Sequence, residues 1–339
     1  MTCMGRRYPG YDIDMSKLIV YLDQNFVSNM AKAKFLGAPV LAEKTAPYGL
    51  RYDRLKFLVE RDIAICPGSL FHQVESEVHR LVGATETVVT KLSFGLNFRT
   101  PWEVVASQAR RALRDFLGLP REQGPNWVGV FNHDPHEPVD LRTIQIGKGR
   151  AIMTSPWPNV DGTVKPTAYM NDRRAALGKF IWKDLPTRRK HQENGVIDAV
   201  FVHPQDSNCR LAAAALVDNW SLIGAPLEKF QDFLRSPELR SCEFISILST
   251  LTAAVECYST REPKPGDACD SLILATVLPY CDVIATSSDL VELWQQTGLK
   301  TKFKAQVYGA RTPQLKAFDE WLVAASREGI KDSILTAPA

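Results

Sequence analysis

Lys17-Leu-Ile-Val-Tyr-Leu-Asp-Gln-Asn25 reads as a strand that ends on an acid. Its apolar, partly β-branched run shows no alternation, which is the pattern of a strand buried on both faces of a parallel sheet. A helical pattern follows from Phe26 to Phe35. Folds of alternating strands and helices collect ligands and chemistry at the carboxyl ends of their strands. Asp23 therefore stands where a carboxylate can face a site. Asp is also a good helix N-cap, so the meaning of Asp23 depends on whether other acids answer it.

Working outward, Tyr52 to Glu60 reads as a helix and Asp62-Ile-Ala-Ile-Cys66 as a second strand. Pro67-Gly-Ser-Leu turns the chain into a helix from Phe71 to Leu81. His72, Glu75 and His79 share one face of that helix, while Glu77 points roughly the other way. In the last third, Asp267-Ala-Cys-Asp270 opens a helix from Ser271 to Leu278, and Asp282-Val-Ile-Ala-Thr286 is a strand. Ser287-Ser-Asp-Leu290 then opens another helix, Phe303 to Val307 is a further strand, and Thr312 to Ser326 is helical. Strands separated by helices predict an α/β fold with a doubly wound, mainly parallel sheet flanked by helices.

Between these parts the pattern changes. Residues 85–236 read as a mainly helical insertion with some β, so the α/β domain is discontinuous, 12–84 and 237–328. The insertion includes helices at Trp102–Leu117 and Arg210–Leu222 and β-like fragments at Trp127–Phe131 and Thr143–Ile146. A long helix from Leu239 to Tyr258 leads back to the sheet. Basic clusters lie at Arg110, Arg111 and Arg114, at Arg173 and Arg174, and at Arg188, Arg189 and Lys190. Such clusters are commonly solvated helix faces; the alternative is contact with phosphates.

With 339 residues, 45% of them hydrophobic and 23% charged, the composition is that of a globular protein. A net charge of +3 is too small to mark the whole chain as a nucleic-acid binder, so any such role must rest on local clusters. Seven single cysteines without a CxxC pair suit buried free thiols in a reducing compartment, not a disulfide framework or zinc site. The opening MTCMGRRYPGYDID lacks an apolar run of a secretory leader, and no stretch is long enough to span a membrane. The expected location is the cytoplasm. No GxxxxGK[ST] or GxGxxG supplies a phosphate cradle. Asn25 stands where a haloacid-dehalogenase-type phosphatase would need a second Asp, and the order of elements does not supply the acids and Lys of a receiver domain. His133 and His136 form only a weak metal signal in a Pro-rich turn.

Asp23, Glu75, Asp267, Asp270 and Asp289 thus fall near strand ends or on the early turns of helices. Clustered carboxylates suit hard divalent cations, which take oxygen ligands. Without a cation such a cluster raises at least one carboxyl pKa.

YLDQN at 21–25, SLFHQVE at 69–75 and GDACDSLILATVLPYCDVIATSSD at 266–289 resemble the PIN-domain nucleases. The resemblance covers roughly residues 15–82 and 260–310 and leaves the insertion aside. It implies Asp23, Glu75, Asp270 and the acid after Thr286 as catalytic and metal-holding residues, with Asp267 beside them. It also implies one or two Mg²⁺ or Mn²⁺ ions and hydrolysis of phosphodiester bonds, usually in RNA. The chain departs from the family at Asp289, which follows Thr286 by three residues where one or two is usual; an outer, supporting position is expected for it. The partner so implied is nucleic acid, RNA before DNA, with Arg110, Arg111, Arg173 and Arg174 as candidate phosphate contacts and no membrane. The insertion is the expected place for a protein partner or a second copy of the chain. The rival expectation is a catalytically silent module of the same fold that binds nucleic acid or protein.

Overall fold

Strand β1 (Leu18–Leu22) lies at the centre of a four-stranded, all-parallel sheet with helices on both faces. The computed structural model describes residues 17–35, 42–78, 82–120, 127–138, 207–257 and 265–335. On one side β1 pairs with β2 (Ala64–Ile65), Leu18 opposite Ala64. On the other it pairs with β3 (Val283–Thr286), Val20 opposite Val283. Strand β4 (Gln306–Gly309) completes the order β2-β1-β3-β4.

The run that lacked alternation in sequence alternates in space. Ile19 and Tyr21 enter one core with Ile65, Ile284 and Val307, whereas Val20 and Leu22 enter a second core with Ala64, Val283 and Ala285. Both faces are apolar because both are covered. The second core is closed by α1 (Gln24–Phe35), α2 (Ala42–Glu60), α4 (Val82–Ser93) and α13 (Thr312–Leu335), through Phe26, Leu55, Val88 and Phe318. The first is closed by α3 (Leu70–Val78), α5 (Pro101–Phe116) and α6 (Ser207–Ile223), and by α9 (Glu243–Cys257), α10 (Pro265–Val277) and α11 (Ser288–Gln296). Full burial of each large apolar side chain, Leu55 for instance, contributes about 1.5–3 kcal/mol.

Several elements differ from their sequence expectation, each for a packing reason. Helix α2 starts at Ala42 despite Pro47 inside it. Its added turns are held by Tyr48 edge-on to Phe26 and by the paired bonds of Arg51 to Asp319. The expected helix from Leu239 to Tyr258 is two helices, α8 (Pro237–Arg240) and α9, after a short α7 (Phe230–Arg235). Gln108 of α5 accepts the Phe244 amide at the start of α9, so a side chain satisfies a helix end that backbone cannot. Strand β4 lies three residues later than expected, because Gln306 to Gly309 are the residues that pair with β3. Leu299–Lys302 forms a short helix, α12, before it. The expected insertion boundary at residue 85 falls within α4, and Val88 and Leu92 lie in the second core. The boundary at 236 falls in the break between α7 and α8. Of the β-like fragments, Trp127–Phe131 makes only isolated bridges, and Thr143–Ile146 lies outside the described residues. No helix among the described residues is long and apolar enough to cross a membrane.

Candidate active site

Asp23 follows β1 directly and precedes α1, where the chain turns from strand to helix. Its amide donates to Ala285 of β3, and its carbonyl accepts from Phe26 and Val27. Its carboxylate does not cap in the usual way, from the second or third helical amide. Oδ1 accepts from the Gln24 amide at 2.7 Å, and Oδ2 accepts from the Thr286 hydroxyl at 3.2 Å. Burial pushes the Asp23 carboxyl above its ordinary value, and the bonds from Gln24, Thr286 and Ser287 draw it back.

The residue that follows β3 reaches the second acid. The Ser287 hydroxyl donates to Asp270 Oδ2 at 3.3 Å and also accepts the Leu290 amide as N-cap of α11. Thr286 therefore holds Asp23, while Ser287 touches both acids, Asp23 through its backbone and Asp270 through its hydroxyl. Asp270 itself lies on the early turns of α10, one turn after the buried Asp267. Its pKa is pushed up to about 8, first by burial and then by the charges of Asp23, Glu75 and Asp267. That dependence places all four acids in one electrostatic neighbourhood at the carboxyl ends of β1 and β3. Tyr21 is likewise raised, by burial first and then by the charges of Asp23 and Glu75.

Glu75 comes from α3, whose position is set by buried polar bonds. His72 accepts the Ser69 amide at Nδ1 (3.1 Å) and meets the Leu22 carbonyl at Nε2 (2.6 Å). An amide can only donate and a carbonyl only accept, so His72 is the neutral tautomer with its proton on Nε2. Burial lowers its pKa to about 4, which keeps it so. His72 is thus a tether and not a metal ligand. His79 lies outside the described residues.

Asp289 sits in the first turn of α11, with its carboxylate 3.5 Å from the Arg311 guanidinium. The Ser287 hydroxyl that reaches Asp270 is a site group that the sequence reading passed over. Its only sequence signal was a Ser directly before a helical pattern.

Of the basic residues, Arg110 donates to Asn219 of α6 at 3.0 Å. Arg111 lies by Tyr280 and Glu243, just before β3 begins. That is the end of the sheet opposite the acids, since α10 starts beside the acids and runs back to Tyr280. Asp282 marks the same far end by accepting the Ile19 amide. Arg173 and Arg174 lie outside the described residues.

Four carboxylates with flanking hydroxyls fit a hard divalent cation in kind and in charge, and after burial the neighbouring acids are what raise Asp270. Among the described residues no three His, Cys, Asp or Glu side chains stand close enough to hold a metal as placed. No family model, curated protein or solved structure matches this chain.

Proposed function

We propose that the chain is a PIN-like, metal-dependent phosphodiester hydrolase, an endoribonuclease with Mg²⁺ or Mn²⁺ as cofactor. The reading is carried by one observation: Thr286 and Ser287, adjacent at the end of β3, bond to Asp23 and Asp270, which sequence separates widely. Asp23, Asp270, Glu75 and Asp267 are the residues that would hold the cation. A divalent cation there would supply positive charge against the anionic phosphate and make water a nucleophile at neutral pH. Thr286 and Ser287 orient the two carboxylates. Asp270, raised to about 8, keeps its proton at neutral pH until positive charge joins the cluster. Asp289, 3.5 Å from the Arg311 guanidinium, would support the site from an outer position. The substrate is RNA before DNA, on the strength of the resemblance at 21–25, 69–75 and 266–289.

The test is cleavage of labelled single- and double-stranded RNA and DNA by purified protein with Mn²⁺, against an EDTA control and Asp23→Asn. Cleavage of RNA that EDTA and Asp23→Asn both abolish is the expected result. A second reading, a silent PIN-like module that binds nucleic acid or protein, is favoured by the lack of a closed three-ligand set among the described residues. Binding of RNA without metal-dependent cleavage of any substrate would establish that reading instead.

A further inference from the structure

We infer that two buried hydrogen-bond bridges hold α3 in register with the junction of β1 and α1, making His72 and Gln24 positioning residues for the carboxylate site. The inference rests on the reading of that site proposed above. Leu22 and Gln24 are the residues on either side of Asp23. The Leu22 carbonyl accepts from His72 Nε2 at 2.6 Å, and Gln24 Nε2 donates to the Ser76 hydroxyl at 2.9 Å. His72 lies one turn before Glu75, and Ser76 directly after it. The bridges therefore bracket both acids, one on each side, and set how Glu75 stands relative to Asp23.

These bonds do what apolar contact cannot. Phe71 anchors α3 in the first core, but apolar burial is non-directional and leaves rotation and sliding of a short helix open. Hydrogen bonds fix distance and angle. The bridges are also sealed from water: His72, Gln24, Ser76 and Thr85 are all buried. Ser76 accepts a second time, from the Thr85 hydroxyl at 2.8 Å, which ties α4 into the same joint. Gln24 Nε2 further donates to Ser28, so its amide is fixed by its donor side. The Gln24 Oε1 atom is buried without a partner among the described residues. An orphaned buried oxygen is unfavourable for folding. What Gln24 supplies at this joint is its two donor bonds, to Ser28 and Ser76, which fix position.

Gln24→Met keeps the shape and removes the donors, and it also removes the orphaned oxygen while leaving Ser76 its bond from Thr85. Its urea midpoint should stay near wild type. Its affinity for Mn²⁺, read from the electron paramagnetic resonance of free Mn²⁺ with full-length protein, should fall roughly 10–100-fold. The loss should vanish in a Glu75→Gln background, because Gln24 acts through Glu75. An equal loss in both backgrounds would overturn the inference. His72→Phe should weaken Mn²⁺ binding in the same way, and His72→Gln, which restores a donor at similar reach, should recover part of it. Amide exchange supplies a readout that needs no metal. Residues 70–78 should exchange at least about tenfold faster in Gln24→Met and His72→Phe while β1 and α1 keep their protection. Unchanged exchange in both variants would overturn the inference whatever the metal does. Wild-type protein that binds no Mn²⁺ would refute the reading of the site, with the exchange experiment still deciding the bridges.

Discussion

Asp270→Asn should flatten the stability profile between pH 6.5 and 8 in protein stripped of divalent metal. Folded Asp270 gives up its proton at about 8, against an ordinary value of 3.8. Between those values the folded chain binds a proton that the unfolded chain lacks, so stability falls as pH rises. His72 works in the opposite sense: it titrates at about 4 when folded and at 6.5 ordinarily, so between them the unfolded chain binds the extra proton and stability rises with pH. Below pH 6.5 the two slopes oppose each other; above it the slope of Asp270 remains. One proton corresponds to about 1.4 kcal/mol per pH unit, and with Asp270 half ionised at pH 8 wild type should lose about 1–2 kcal/mol from pH 6.5 to 8. Against a total of about 5–15 kcal/mol for a typical protein, that is readily measured. Asn keeps an oxygen to accept the Ser287 hydroxyl, so the substitution removes charge and little else. The full rise of Asp270 corresponds to roughly 6 kcal/mol, an upper figure because Asp23 and Glu75 share the same proton equilibrium. Asp270→Asn should therefore be the more stable protein at pH 8. The assay is urea unfolding in EDTA at several pH values, with equal m-values required for the comparison. Saturating Mn²⁺ should shrink the wild-type slope, since a cation competes with the proton, and should leave the variant unaffected. A flat wild-type profile, or the same slope in Asp270→Asn, would refute the account of the cluster.

Asp23→Asn should abolish cleavage, while Asp289→Asn should keep most of it because Asp289 pairs with Arg311; comparable losses in a cleavage assay would return Asp289 to the site. Arg110→Gln and Arg111→Gln should leave the slope of log affinity against log salt unchanged, since Arg110 bonds to Asn219 and Arg111 lies at the far end of the sheet. A drop in that slope of about 0.7 or more per residue would show that they contact phosphate. Gly68→Ala should destabilise by roughly 1–3 kcal/mol, measured by urea unfolding, because a methyl group there collides with Asn97 Oδ1 and meets Val89 Cγ1 at 3.0 Å. A neutral result would mean that the loop around Asn97 yields freely.

The sequence by itself determined the secondary elements with the strongest local signal. Leu18–Leu22 was legible as a doubly buried strand because an unbroken apolar run of strand length has few other uses. The helix read at Trp102–Leu117 is found at Pro101–Phe116, where a Thr100–Glu103 capping box starts it. The alternation of strand and helix gave the α/β class, and the acids at element ends marked where chemistry could sit. Only the tertiary structure decided what those acids meet. The neighbouring of β1 and β3 is a pairing across most of the chain, and no local pattern encodes it. That pairing brings Thr286 to Asp23 and Ser287 to Asp270. The register of β4 on β3 and the meeting of Asp289 with Arg311 were likewise decided between distant segments. His72 and Gln24 look like ordinary polar residues in sequence, since a buried hydrogen bond between distant segments leaves no periodicity to read. Local patterns report propensity and burial; which partner a buried polar group finds is fixed only when the strands have chosen their neighbours.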